Sequence, residues 1–207
     1  MTQPITVVVP MYNGVTQLDF TGPHQFLSRT PDLHVQVASL DGQPVTADRL
    51  TFSNLEDLSA IKSCDVLLVP GGGGCLAAIE NDVFLKDIAR LGATARYLTS
   101  VCTGSLILGA AGFLTGRRAA CHWAWRELLP VFGAIVDEGR IVRDGNILSG
   151  EASRQASISC WHLSRSCADL AWQRWSSSAW NMHHNRPLTP DGRTQRRSAQ
   201  VRDTLNR

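Results

Sequence analysis

Three groups of residues could do chemistry together, and each follows a short apolar run of the kind that forms a strand. Cys102 stands in Val101-Cys102-Thr103-Gly104, directly after the run 96–101. On residue type alone a cysteine is a small buried hydrophobe; the strand-to-helix junction sets this one apart. Such a turn presents a side chain at a rim, and the helix N-terminus beyond it favours the thiolate, the reactive form of cysteine. The expectation is a thiol lowered from about 8.5 into the range ~3.5–7.5. Asp19, in Gln17-Leu18-Asp19-Phe20-Thr21-Gly22-Pro23-His24, opens a helical stretch. Taken alone it is a helix-dipole partner worth ~0.3–1 kcal/mol. Within reach of Cys102 it becomes an acid/base, because desolvation and a neighbouring thiolate both raise a carboxyl pKa and leave a proton for transfer. The third group is Gly71-Gly72-Gly73-Gly74, after the run 65–70. Glycines permit close backbone approach, and the N–H groups of Gly71 and Gly72 could receive developing negative charge.

Rival chemistries are weaker. The glycine run lacks both the Walker lysine and the dinucleotide spacing, which sets nucleotide binding aside. His122, in Cys121-His122-Trp123, is either a base for Cys102 or a histidine bonded behind the pocket, and is placed behind it. His183-His184 has no third metal ligand at a sensible spacing, so no metal is expected. Cys64, Cys75 and Cys121 lack a strand–helix junction and are read as structural, with Cys75 close to the glycine turn.

The elements that must position these residues alternate. Strands are expected over 5–10, 35–40, 65–70 and 96–101, helices over 18–28, 75–91 and 103–111, and a hairpin over 135–149. The run Val66-Leu67-Leu68-Val69 is continuously apolar, as where both faces of a parallel sheet are covered. The fold class is α/β, a doubly wound, mainly parallel sheet sandwiched by helices. Active sites of such sheets lie beyond the carboxyl ends of the strands, where all three groups fall.

Composition bounds the rest. The 207 residues suit one domain, and a net charge of +2 does not point to nucleic acid. No stretch of transmembrane length or signal-like N-terminus stands out, so the expectation is a cytoplasmic protein with no membrane partner and six reduced cysteines. A break falls near residue 150. Residues 1–150 hold 11 Lys/Arg and 14 Asp/Glu, whereas 151–207 hold 9 Arg, no Lys and 4 acids, with four of the six Trp and no Phe.

Taken together, Gln17–Pro23 with His24, Val69-Pro70-Gly71-Gly72, and Thr99-Ser100-Val101-Cys102-Thr103-Gly104-Ser105 resemble the ThiJ/PfpI superfamily, and within it the isonitrile hydratases, over about residues 5–150. The resemblance implies a flavodoxin-like homodimer acting on a small-molecule isonitrile without metal or organic cofactor. It further implies Cys102 as nucleophile, Asp19 as acid/base and Thr103 beside the cysteine. Peptidases, glyoxalases and deglycases of the superfamily commonly carry His after the cysteine or Glu in the acid position; here stand Thr103 and Asp19. Related transcription factors add a helix-turn-helix after this domain, which residues 151–207 do not resemble. A regulatory or redox-sensing Cys102 is the other alternative.

After Gly150 the resemblance stops. Glu151-Ala152-Ser153-Arg154-Gln155-Ala156-Ser157-Ile158 can be encoded by bases that, regrouped one position earlier, spell Gly-Gly-Val-Thr-Ala-Gly-Ile-Asp, a family-like run. Residues 180–187 regroup in the same shifted frame, with suitable third bases, to Met-Glu-Tyr-Ala-Pro-Gln-Pro-Pro. The expected organisation is therefore an α/β domain over 1–150 and an anomalous 151–207, the frameshifted end of the same domain.

Overall fold

The structure, a computed structural model, describes residues 4–151. The expectations about 152–207, including the frameshift and His183-His184, lie outside the described residues.

In chain order the elements are β1 (Ile5–Pro10), α1 (Gln17–Leu27), β2 (Leu33–Ser39), β3 (Val45–Ala47), β4 (Leu50–Phe52), β5 (Glu56–Asp57) and β6 (Val66–Val69). Then come α2 (Cys75–Ile79), α3 (Asp82–Thr94), β7 (Tyr97–Val101), α4 (Gly104–Ala110), β8 (Arg118–Ala119), a 3₁₀ segment Arg126–Phe132, β9 (Ile135–Val136), β10 (Ile141–Asp144) and β11 (Ile147–Gly150). Among the described residues seven strands form one sheet in the order β10-β11-β7-β6-β1-β2-β5, parallel except for the β10–β11 hairpin. The four residues of β6 are all buried, as expected of a strand covered on both faces.

Strand order decides where the helices lie. From β1 the chain crosses to β2 on one side, while from β6 it crosses to β7, and from β7 to β11, in the opposite direction. Right-handed crossovers taken in opposite directions place their helices on opposite faces, so α1 covers one face and α2, α3 and α4 the other. The direction reverses at β1, and the crevice beyond the ends of β1 and β6 is the topological switch point.

Local chemistry accounts for the helices. Asn81 caps α3 by accepting from the N–H groups of Val83 and Phe84, and Phe84, Ile88 and Leu91 bury one stripe. That cap also divides the helical stretch expected over 75–91 into α2 and α3. In α1, Pro23 cannot donate to the carbonyl of Asp19, so this helix depends on burying Phe20, Pro23 and Leu27 rather than on its own ladder.

Two expectations need correction. The hairpin expected over 135–149 is confined to β10 and β11; Ile135–Val136 instead pairs in parallel with Arg118–Ala119 in a separate small sheet. The connection after β2, expected to be without strands, contains a β3–β4 hairpin. It turns through Asp48 and Arg49, both at positive φ, the primed turn that matches hairpin twist. This hairpin fastens the chain beyond β1, since Asn13 Oδ1 accepts from Thr46 N–H and Gly14 N–H donates to Thr46 O.

Candidate active site

Cys102 is the first residue past β7. Its N–H still donates to Gly150 O in the sheet, and the following residue caps α4. Leaving the sheet this abruptly holds Cys102 at φ +58°, in the left-handed region that costs a non-glycine residue of order 1–3 kcal/mol. The turn is fixed by its surroundings: Ser100 and Ser105 hydroxyls bond across it at 2.8 Å, and a Cβ on Gly104 would run into the carbonyl oxygen of Val69. The strain is the means by which the sulfur is aimed away from the sheet and toward α1.

Asp19, in the first turn of α1, is 1% exposed, and its Oδ2 accepts a 3.2 Å hydrogen bond from Gly71 N–H. The Cys102 thiol lies beside this carboxylate, the two flanking Gly71 and acting on each other's ionisation. The glycine run permits this convergence. A Cβ on Gly71 would lie 2.6 Å from Thr103 N, 2.7 Å from Cys102 Cβ and 2.9 Å from Asp19 Oδ2, so only a bare Cα fits among the three. Gly71→Ala is expected to cost about 1–3 kcal/mol through overpacking. Because the displaced atoms are the reacting ones, it should also slow alkylation of Cys102, which thermal unfolding and iodoacetamide labelling would check.

Thr103 Oγ1 accepts from Gly72 N–H at 2.8 Å and lies 3.1 Å from Gly72 O, to which it can donate. The Thr103 N–H, next in the chain to Cys102, favours the charged form of its sulfur. The two glycine N–H groups expected to receive an oxyanion are thus engaged inside the protein, Gly71 with Asp19 and Gly72 with Thr103. In this arrangement they hold Asp19 and the turn.

Electrostatics follow burial. Asp19 is raised from 3.8 to about 7, chiefly by desolvation and against the Gly71 and Cys102 hydrogen bonds that favour its charge. The expectation for Cys102 is overturned. Its thiol is raised rather than lowered, first by burial and then by the adjacent Asp19 charge, which together outweigh the single Thr103 N–H. With only 6% of the residue exposed, the helix N-terminus cannot replace the water the sulfur has lost. The resting pair is a neutral thiol beside a carboxyl poised near neutrality.

His122 does not reach toward the sulfur with its ring. Its Nδ1 accepts from Ala124 N–H, its ring lies 5.6 Å from that of Trp123, and only its main-chain N–H meets Cys102, at the carbonyl oxygen. Cys64, Cys75 and Cys121 are buried. Cys75, however, faces Thr103 and Tyr12, and Cys121 faces Cys102, so both border the site more closely than their flanks suggested. Tyr12, absent from the sequence reading, is 7% exposed, donates from its hydroxyl to Pro70 O at 3.0 Å, and meets Phe84 edge-on. A cavity of about 220 Å³ is lined in part by Tyr12, Asn13, Gln43, Gly74 and Asn81 but not by Asp19 or Cys102. Among the described residues no three His, Cys, Asp or Glu side chains gather in a way that could hold a metal ion, and no helix is long and apolar enough to cross a membrane.

Comparison with known proteins agrees with this geometry. The chain is 46% identical over 143 residues to an isonitrile hydratase of Pseudomonas putida, a match spanning 68% of this chain and 62% of that one. It is 38% identical over 101 residues to the HTH-type transcriptional regulator CdhR of Pseudomonas aeruginosa, covering 45% of this chain and 29% of the regulator. Among solved structures, a ThiJ/PfpI family protein from Pseudomonas syringae superposes with a TM-score of 0.74 at 30% identity, over 98% of this chain and 87% of that one. The sequence profile of the DJ-1/PfpI family matches residues 5–158, and with the parallel sheet, the strained cysteine turn and the facing carboxylate in place, the chain belongs to the DJ-1/PfpI family.

Proposed function

We propose that this protein is an isonitrile hydratase, adding water to an isonitrile to give an N-substituted formamide. One juxtaposition carries the reading: a buried thiol and a buried carboxyl, its pKa near neutrality, set on either side of Gly71. The likeness to the Pseudomonas putida enzyme supports the substrate class.

The chemistry runs on that shared proton. As Cys102 Sγ attacks the isonitrile carbon, its proton passes to Asp19 and from there to the same carbon, forming a thioimidate, R–N=CH–S. Thr103 N–H stabilises the sulfur while it carries charge. Water then adds to the carbon, Asp19 moving a proton from the water to the imine nitrogen. The tetrahedral adduct collapses, the C–S bond breaks, and the hydroxyl proton returns through Asp19 to Cys102. The balance is R–NC plus H₂O to R–NH–CHO, with the cysteine regenerated. Covalent attack splits one hard hydration into two easier steps.

The test pairs chemistry with chain identity. The printed chain and a version with the frame shifted after residue 150 are expressed side by side, given a simple alkyl isonitrile, and assayed for the formyl proton by NMR. The shifted version is expected to be a soluble dimer by size exclusion that produces formamide, and the printed version insoluble or inactive. A folded shifted protein that makes no formamide would end the hydratase reading; a cooperative, fully active printed chain would end the frameshift reading. A ligand-sensing role, suggested by the likeness to the regulator, requires binding without turnover and is separated by the same assay.

A further inference from the structure

Tyr12 is a buried titratable side chain for which the mechanism above has no use. Its hydroxyl donates to the carbonyl oxygen of Pro70 at 3.0 Å, and the N–H of Gly71 donates to Asp19 Oδ2 at 3.2 Å. That oxygen and that N–H belong to one peptide group, so Tyr12 and Asp19 occupy its two ends. We propose that Tyr12 is a positioning residue for the acid/base: acting through the Pro70–Gly71 peptide, its phenol orients and polarises the N–H that holds the Asp19 carboxylate. The proposal rests on Asp19 serving as proton acceptor for Cys102.

The rest of the loop is arranged so that this peptide has little freedom. Thr16 N–H donates to Gly71 O at 2.8 Å, the Thr103 hydroxyl grips both polar atoms of Gly72, and Gly71 has no room to turn between Thr103, Cys102 and Asp19. The Tyr12 ring is held edge-on by Phe84, 5.8 Å between centroids, which fixes the direction of its hydroxyl. A donor on a peptide oxygen strengthens the N–H at the other end as a donor, because the hydrogen bonds polarise one another in the same sense. The titratable groups acting on the pair are few: Cys102 from the turn before α4 faces both Asp19 and Tyr12, Cys75 from the start of α2 faces Tyr12, and Cys121 faces Cys102. Tyr12 itself stays neutral, its pKa raised first by burial and then by these acids.

The sign follows. The Gly71 hydrogen bond lowers the Asp19 pKa, so weakening it must move that pKa upward from about 7. The experiment measures the rate of Cys102 alkylation by iodoacetamide against pH on whichever full-length version, as printed or with the frame shifted after residue 150, is recovered folded, with labelling located by mass spectrometry. This readout needs Asp19 to accept the thiol proton but does not need isonitrile chemistry. In Tyr12→Phe, which keeps the ring and its contact with Phe84, the acidic limb of alkylation is expected to move to higher pH by roughly half a unit, the size of a 10–30% change in a charged hydrogen bond. The limb of kcat/KM for hydration should move with it.

A reverse test guards against a folding defect in the Phe variant. Incorporating 3,5-difluorotyrosine site-specifically at position 12 alters Tyr12 alone and makes it a stronger donor. The limb is then expected to shift to lower pH. An unmoved limb in the folded fluorinated protein overturns the proposal, as does a shift of the wrong sign in either variant. Alkylation limbs that shift as expected in a protein that makes no formamide would leave the Tyr12 linkage standing and remove the hydratase reading.

Discussion

Replacing Cys102 with Ala or Ser is expected to lower isonitrile hydration by at least about 10⁴-fold, the scale on which loss of a covalent nucleophile is felt. Alanine has no atom to form the thioimidate. Serine keeps an oxygen within reach of Asp19, but an acceptor whose pKa is raised to about 7 has far less hold on a hydroxyl proton than on a thiol proton. The two variants separate nucleophilicity from packing. Both should fold, because Cys102 belongs to a small cluster with Val101 and Leu148 outside the main core, and its strained turn is held by Ser100, Ser105 and Gly104 rather than by sulfur. The check is formamide production together with thermal unfolding. Near-normal turnover in Cys102→Ser would remove cysteine catalysis from the reading while leaving the fold untouched.

Much of this was legible before the structure, for reasons that can be named. The β6 run could be read as a buried parallel strand because four consecutive apolar residues fit no half-exposed one. Asp19, Gly71 and Cys102 could be grouped because chain topology alone brings strand ends to one edge of a doubly wound sheet, whatever the side chains between them. What stayed hidden depended on three-dimensional neighbours. The Asp48-Arg49 turn has neither glycine nor asparagine to announce positive φ, so the β3–β4 hairpin left no turn signal. Tyr12 occupies no motif, and its importance comes from a single bond to Pro70, 58 residues away.

The Cys102 thiol shows the same limit in its energetics. Strand-to-helix position argued for a lowered pKa, and the helix is there, but position says nothing of how much water the sulfur loses. Desolvation of a nearly buried thiol beside a carboxylate is the larger effect, and it changes the order of events. The proton is not lost in advance. In the proposed reaction it is handed to Asp19 as the carbon–sulfur bond forms.

Asp19→Asn should therefore separate activity from stability in opposite directions. Activity is expected to fall by about 10²–10⁴-fold, since asparagine can still accept from Gly71 N–H but cannot take the thiol proton. Stability should rise, the gain building as pH climbs from about 4 to about 7 and then levelling off. In the unfolded chain an aspartate titrates near 3.8, whereas folded Asp19 titrates at about 7, so between those values the folded protein binds the proton more tightly. The stability contributed by that protonation is fully present below the unfolded value and is lost as pH rises through about 7, where a buried carboxylate must be charged. Asparagine is neutral throughout and avoids the loss. The difference between the two pKa values sets an upper bound of about 4 kcal/mol at alkaline pH, and imperfect hydrogen bonding by the amide to the Cys102 sulfur reduces it to about 1–2 kcal/mol. Thermal melts of both proteins should diverge as pH rises from 5 to 8, the variant unfolding a few degrees higher at the upper end. If the variant is instead equally destabilised at every pH, Asp19 is a helix-end acid held for structure, and the proton that drives the chemistry must be carried by another group.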